Sequence, residues 1–117
     1  MQKRYRVKKS DDISAIMKKG HSKSNPSFVV YKKENLGNKH FKIAISVSKK
    51  LGNAVMRNHV KRYVRNVMQE NEAYLDHEYD YFIIGRKSCT EQDYETFKRN
   101  LEQVLRRHKV LNKPTQS

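Results

Sequence analysis

The sequence has little of several residue types: its 117 residues include one cysteine, no tryptophan, two prolines and four glycines. The single cysteine, Cys89, excludes an intramolecular disulfide and a cysteine-based metal site. The five histidines are dispersed, and no paired carboxylates stand in a recognisable catalytic motif. We therefore predict no catalytic residue and no metal site on the protein, and a nuclease acting alone is disfavoured.

Long apolar runs are also absent. No stretch approaches the roughly 18 apolar residues of a membrane span, and residues 1–10 lack the apolar segment of a secretory signal. These absences predict a cytoplasmic protein without membrane contact. A chain of 117 residues suits one hydrophobic core, so we predict a single domain over residues 1–117 with a frayed tail from about Lys109.

Acidic residues are scarce, since 12 Asp and Glu oppose 26 Lys and Arg, giving a formal net charge of +14. The imbalance is concentrated in residues 1–65, which carry 18 basic and 3 acidic residues. Such an excess in a compact chain is typical of proteins that bind a polyanion. We expect a nucleic acid to contact this half, because a merely Lys-rich soluble surface would spread the excess along the chain.

Local signals predict a helix and a strand in the first 40 residues. Ser10 is a candidate N-cap, and Gly20 ends a short amphipathic helix. Its apolar stripe consists of Ile13, Ile16 and Met17. The polar residues 21–25 predict irregular structure, and residues 28–31 predict a strand that a turn at 35–38 closes.

The remaining elements follow from periodicity and capping. Residues 41–48 alternate apolar and polar side chains, which predicts a strand pairing antiparallel with 28–31. Asn53 is a candidate N-cap for a helix to about Glu70, and residues 79–86 read as a buried strand. Thr90 is the predicted start of the last helix. We predict an α+β fold, a two-layer sandwich in which helices cover one face of a small sheet.

The segment 46–65 carries the main functional signal. On a helical wheel one arc of about 140° is basic and free of acids, while the opposite side is apolar. We name that arc the basic helix face: Arg57, Asn58, Lys61, Arg62 and Arg65. Arginine forks and lysine charges suit phosphates, whereas an ordinary solvated face usually alternates charge signs. Lys49, Lys50 and Asn53, at the start of the helix, complete the predicted RNA-binding set.

A shallow groove beside the first helix is a second, weaker prediction. Tyr31 offers a stacking ring and Lys42 a nearby charge, as single-stranded nucleic acids require. The alternative is that Tyr31, Ile13 and Met17 are ordinary core residues. The full predicted groove is Ile13, Met17, Tyr31, Lys42, Ser46, Arg86 and Lys87.

Residues 46–65 resemble the signature of the bacterial ribonuclease P protein family, notably around Arg57-Asn58 and Lys61-Arg62, and the flanking elements match in order from about Lys8. The resemblance implies a ribonucleoprotein in which a catalytic RNA removes the 5′ leader of precursor tRNA. Magnesium would act through the RNA subunit, with one protein per RNA. The sheet would be mixed, with about four strands, and would contain a left-handed crossover around residues 41–86, although general topology rules favour the right-handed form.

By the same resemblance, the basic helix face would contact the catalytic RNA and the groove would hold the leader. The sequence departs from the family pattern at His59, where Arg is common, and at Ile13 and Met17, where Phe is usual. We expect one weaker phosphate contact and softer apolar contact with the leader. The main rival is a structural, ribosomal-type RNA-binding protein without a role in cleavage; a DNA-binding helix module is disfavoured because no helix-turn-helix is present.

Overall fold

The computed structural model describes residues 5–7 and 10–112. In that part of the chain, three α-helices and four strands alternate with short 3₁₀ turns. In order they are α1 (Ser10–Lys19), β1 (His21–Ser24), β2 (Phe28–Glu34), β3 (Lys42–Val47), α2 (Ala54–Glu70), β4 (Tyr79–Gly85) and α3 (Tyr94–Arg107). The α+β class and the mixed four-stranded sheet are confirmed. No helix among the described residues has the length and apolar content of a membrane span.

The strands form one sheet in the order β1-β2-β4-β3. β2 pairs antiparallel with β1 and β4, and β3 pairs parallel with β4. The predicted antiparallel pairing of 28–31 with 41–48 is wrong, because β4 lies between those strands. β4 is the most continuously apolar strand. Its central position suits this sequence, because there both edges and both faces of the strand are covered by protein.

Side-chain alternation divides the apolar residues between the two faces of the sheet. Ile43, Val47 and Ile83 belong to the main core, which α2 and α3 cover. Ala44 and Phe82 point to the other face, where they pack with Ile16 of α1. The predicted one-sided cover therefore describes α2 and α3 only. α1 is short, and its narrow apolar stripe leaves part of the second face open.

The helix starts follow side-chain caps. Asn53 accepts a hydrogen bond from the Met56 amide at 2.9 Å, which confirms the predicted cap of α2. The predicted start of the last helix at Thr90 is wrong, because that residue lies in a 3₁₀ turn. Asp93 instead caps α3 by accepting from the Thr96 amide at 2.9 Å.

Two polar segments are more ordered than predicted. Residues 21–25 were expected to be irregular, yet His21–Ser24 form the edge strand β1, whose exposed side chains give no apolar signal. The tail was expected to fray from Lys109, but Val110 and Leu111 are buried in the core. The Asp76 amide donates to the Val110 carbonyl at 2.9 Å. The rest of the tail, residues 113–117, lies outside the described residues.

The parallel neighbours β3 and β4 are joined through α2, so the chain contains a strand-helix-strand unit. This unit carries the basic helix face between the two strands in sequence. Its left-handed crossover stays a prediction. The arrangement matters for function because α2 packs on β3, at one edge of the sheet, and turns its polar side away from the core.

Candidate nucleic-acid interface

The rotation of α2 about its axis is fixed by its apolar stripe. Val60, Val64 and Val67 are fully buried against the sheet. The Tyr63 ring packs edge-on against Tyr94 and Phe97 of α3, with centroid distances of 4.9 and 5.2 Å. Since these contacts hold one side of the helix inside the molecule, the basic helix face must point outward.

The structure brings the basic helix face together as predicted from the wheel. Asn58 and Arg62 are exposed, while Arg57, Lys61 and Arg65 are partly exposed. Within the described residues, none of these basic side chains forms an ion pair. Two nearby carboxylates have other partners: Glu70 pairs with Lys98, and Glu72 pairs with His40. The face therefore presents positive charge that no carboxylate compensates.

Arg6 extends this face, and the sequence analysis missed it. The segment 5–7 lies beside β3, where the Val7 amide donates to the Ile43 carbonyl at 2.7 Å. Burial lowers the pKa of the Arg65 guanidinium, and the charge of Arg6 lowers it further. Five basic residues stand among the first nine, so the sequence offered no signal that singled out one of them.

Several arginines on this side of the molecule have a hydrogen-bond donor without an acceptor among the described residues. The Nε atoms of Arg6, Arg57 and Arg65 are buried and have no hydrogen-bond partner among the described residues. A buried donor without an acceptor costs free energy, and two adjacent cations repel each other. A phosphate beside these partly exposed side chains would supply the negative charge that the surface lacks.

The start of α2 provides further donors. Lys49 and Lys50 are exposed in a 3₁₀ turn, and the Lys50 amide donates to the Ser48 hydroxyl at 3.2 Å. Asn53 is exposed, but its side-chain oxygen is occupied by the helix cap. The two lysines are therefore positioned to bind an anion near the helix N-terminus. The side-chain oxygen of Asn53, by contrast, caps the helix.

The predicted groove lies on the second face of the sheet. Tyr31, Phe82 and Ala44 form one cross-strand row, and the Tyr31 and Phe82 rings stack with centroids 6.2 Å apart. Ile13 is half-buried beside this row, and Met17 is 44% exposed. α1 forms one wall, and Ile13 and Tyr31 pack against the same small cluster of buried residues.

The other predicted groove residues lie around this floor. By the alternation of β3, Lys42 and Ser46 share the face of Ala44, with Lys42 exposed and Ser46 half-buried. Arg86 and Lys87 are exposed just past the end of β4. The Arg86 guanidinium donates to the Asn25 carbonyl at 3.2 Å, which directs it toward the start of β2. These residues give the apolar floor a cationic margin.

Most groups with nucleophilic or metal-binding chemistry are dispersed, but His40 and His77 lie together, with ring centroids 4.8 Å apart, and His40 Nε2 lies 2.8 Å from a Glu72 carboxylate oxygen. Cys89 is buried in the main core, and burial raises the pKa of its thiol to about 11. The described residues include no group of three or more His, Cys, Asp or Glu that could hold a metal ion. The chemistry that this surface offers is recognition of anions and aromatic bases.

Comparisons with known proteins agree on one family. The family model described as Ribonuclease P matches residues 1–109. The ribonuclease P protein component of Listeria monocytogenes serotype 4b is 44% identical over 118 residues, covering 100% of this chain and 99% of that protein. That of Bacillus mycoides is 45% identical over 107 residues, covering 92% of this chain and 93% of that protein.

Solved structures give the same result. The RNase P protein of Staphylococcus aureus superposes with a TM-score of 0.86 at 42% identity, covering 92% of this chain and 98% of that one. The RNase P protein of Thermotoga maritima superposes with a TM-score of 0.80 at 32% identity, covering 87% and 96%.

Proposed function

Because the chain belongs to the bacterial ribonuclease P protein family, we propose that it binds the catalytic RNA of ribonuclease P and the 5′ leader of precursor tRNA. The protein is a subunit of an endoribonuclease. In the proposal, the RNA subunit carries out the hydrolysis and holds the magnesium ions, since its phosphates supply the oxygen ligands that magnesium prefers. The proposal includes one protein per RNA and a cytoplasmic location.

The observation that carries the proposal is the uncompensated charge of the basic helix face. Arg57 and Arg65 have buried donors without acceptors, and no carboxylate of the described residues pairs with the basic side chains of α2. RNA phosphates would neutralise these side chains and release counterions, which is the main source of salt-dependent affinity. Neutralisation by the protein would also lower the magnesium concentration that two approaching RNAs require.

The groove supports the second half of the proposal. A single-stranded leader needs an apolar surface for its bases and cations for its phosphates. The Tyr31 and Phe82 row with Met17 provides the first, and Lys42 and Arg86 flank it. Met17 has no ring, so its contact with a base is softer than stacking. Protein and RNA subunit would then each hold part of precursor tRNA, which adds to overall affinity.

Reconstitution tests this function. Purified protein is added to the catalytic RNA and precursor tRNA at a magnesium concentration where the RNA alone is slow, and leader removal is timed. We expect strong stimulation that fades as magnesium is raised. Binding to the RNA without any stimulation would favour the structural RNA-binding rival instead.

A further inference from the structure

A second basic surface lies at the opposite edge of the sheet from the basic helix face. An open cavity of about 370 Å³ is formed there by β1, β2 and the end of α3. A neighbouring cavity of about 490 Å³ shares Arg107 with it. We name the basic side chains that line the two cavities near this edge the β1–α3 surface: His21, Lys23, Lys32, Arg106, Arg107 and Lys109.

The fold assembles this surface from segments that are distant in sequence. His21 pairs with Lys32 across β1 and β2, and Lys23 pairs with the buried Val30, so these side chains share the face that α3 covers. The Lys32 ammonium donates to the His108 carbonyl at 2.8 Å. This bond joins the edge strands to the end of α3.

Some of these basic side chains stabilise the fold. Cations in the last turn of a helix stabilise its carbonyl end, and Arg107 donates to the Ser24 carbonyl. The β1–α3 surface has more basic side chains than the end of α3 requires. His21, Lys23 and Lys109 are exposed, and no carboxylate of the described residues lines either cavity.

Two further features fit an excess of positive charge here. The Arg106 Nε atom is buried and has no hydrogen-bond partner among the described residues. The pKa of His108 is lowered first by burial, then by the charges of Lys32, Lys23 and His21, against a hydrogen bond to the Val30 carbonyl that raises it.

This surface is separate from the sites described above. α2 packs on β3, whereas β1 lies three strand spacings away, or about 14 Å at the usual spacing. The predicted groove lies on the face that α1 covers, while His21 and Lys23 share the face of α3. The two basic surfaces therefore cannot bind the same few phosphates.

We propose that the β1–α3 surface binds the phosphate backbone of a second RNA segment, so that the protein bridges two segments of the ribonucleoprotein. The inference rests on the proposed function, because it extends the RNA contact from one side of the molecule to two. Phosphate fits the surface because several basic side chains lie together there. Hydrogen bonds to backbone carbonyl groups hold Lys32 and Arg107 in place, and His21, Lys23 and Lys109 are exposed to solvent.

The test removes two exposed charges, and neither ammonium group makes a hydrogen bond to another described residue. The pair Lys23→Gln with Lys109→Gln is compared with the charge-conserving pair Lys23→Arg with Lys109→Arg. Lys109 has a φ of 61°, a strain that Lys, Gln and Arg share, so folding should be equal. The dissociation constant of full-length protein and catalytic RNA is measured at several salt concentrations, and again for precursor tRNA binding to the assembled particle.

We expect the Gln pair to flatten the plot of log K against log salt by about 1.4 to 1.8, which is two phosphate contacts, in one of the two binding reactions. The reaction that changes identifies which RNA occupies the surface. The Arg pair should keep the wild-type slope. Unchanged slopes in both reactions would overturn the inference.

Arg62→Gln on the basic helix face separates the two proposals. If Arg62→Gln flattens the slope and the Lys23 and Lys109 pair does not, the second surface fails while the proposed function stands. If Arg62→Gln also leaves the slope unchanged and the wild-type protein does not stimulate leader removal, the proposed function fails with it. Because the two surfaces share no contacts, we expect their effects on log K to add.

Discussion

Replacing Arg62 by Gln should weaken RNA binding without weakening the fold. Arg62 is exposed on α2 and makes no ion pair within the described residues, so the substitution breaks no ion pair in the folded protein. Gln also keeps good helix propensity. The free energy of unfolding should therefore change by less than about 0.5 kcal/mol.

The magnitude of the binding effect follows from counterion release. One lost contact to an RNA phosphate lowers the slope of log K against log salt by about 0.7 to 0.9. Between 50 and 200 mM salt, the wild-type affinity should then fall roughly 3-fold more than that of the variant. At the lower salt concentration the variant should bind several-fold more weakly.

Filter binding of labelled catalytic RNA at four salt concentrations measures this slope. The Arg62→Lys variant is the control, because it retains the charge and loses only the planar fork. Its slope should match wild type, with a modest loss of affinity. A wild-type slope in Arg62→Gln, with normal unfolding in urea, would remove this side chain from the RNA interface.

Three further outcomes are expected. Tyr31→Ala should weaken binding of leader-bearing precursor more than that of mature tRNA in a competition assay; equal losses would make Tyr31 a packing residue only. Phe97→Ala should lower the unfolding free energy in urea by about 3–5 kcal/mol, because it empties the core beneath α2 and α3, and a loss below 1 kcal/mol would contradict that packing. The pKa of His108 is lowered in the folded protein, so as pH falls through about 6.5 the unfolded chain takes up a proton more readily than the folded chain. The free energy of unfolding should therefore decline below that pH. A His108→Gln variant with the same decline would exclude this cause.

The elements with local signals were predictable. Asn53 and the apolar stripe of α2 are close in sequence, so a wheel and a cap place the helix and its basic face. The continuous apolar run of β4 likewise predicted a buried strand. These signals depend on a few neighbouring residues, which is why they hold without knowledge of the rest of the fold.

The misplaced features depend on distant residues. β4 lies between β2 and β3 in the sheet. The local sequence of β2 and β3 does not indicate that a third strand separates them. β1 has four exposed side chains and is held by backbone pairing with β2, which composition cannot reveal. Tertiary pairing decides both, so periodicity alone could not.

The functional surfaces divide in the same way. The basic helix face is continuous in one helix and was found. Arg6 reaches Arg65 only because the segment 5–7 pairs with β3. The β1–α3 surface combines residues 21–32 with residues 106–109, and the second of these segments belongs to a half of the chain whose acids balance its bases.

Crosslinking from the surface of α2 tests whether this helix faces the catalytic RNA. A photoreactive group is attached to an Asn58→Cys variant, and to Leu36→Cys in the exposed β2–β3 turn as the matched control; native Cys89 is buried. We predict crosslinks to discrete nucleotides of the catalytic RNA from position 58 and few from position 36. No crosslink from position 58 in the assembled, active particle would contradict the claim.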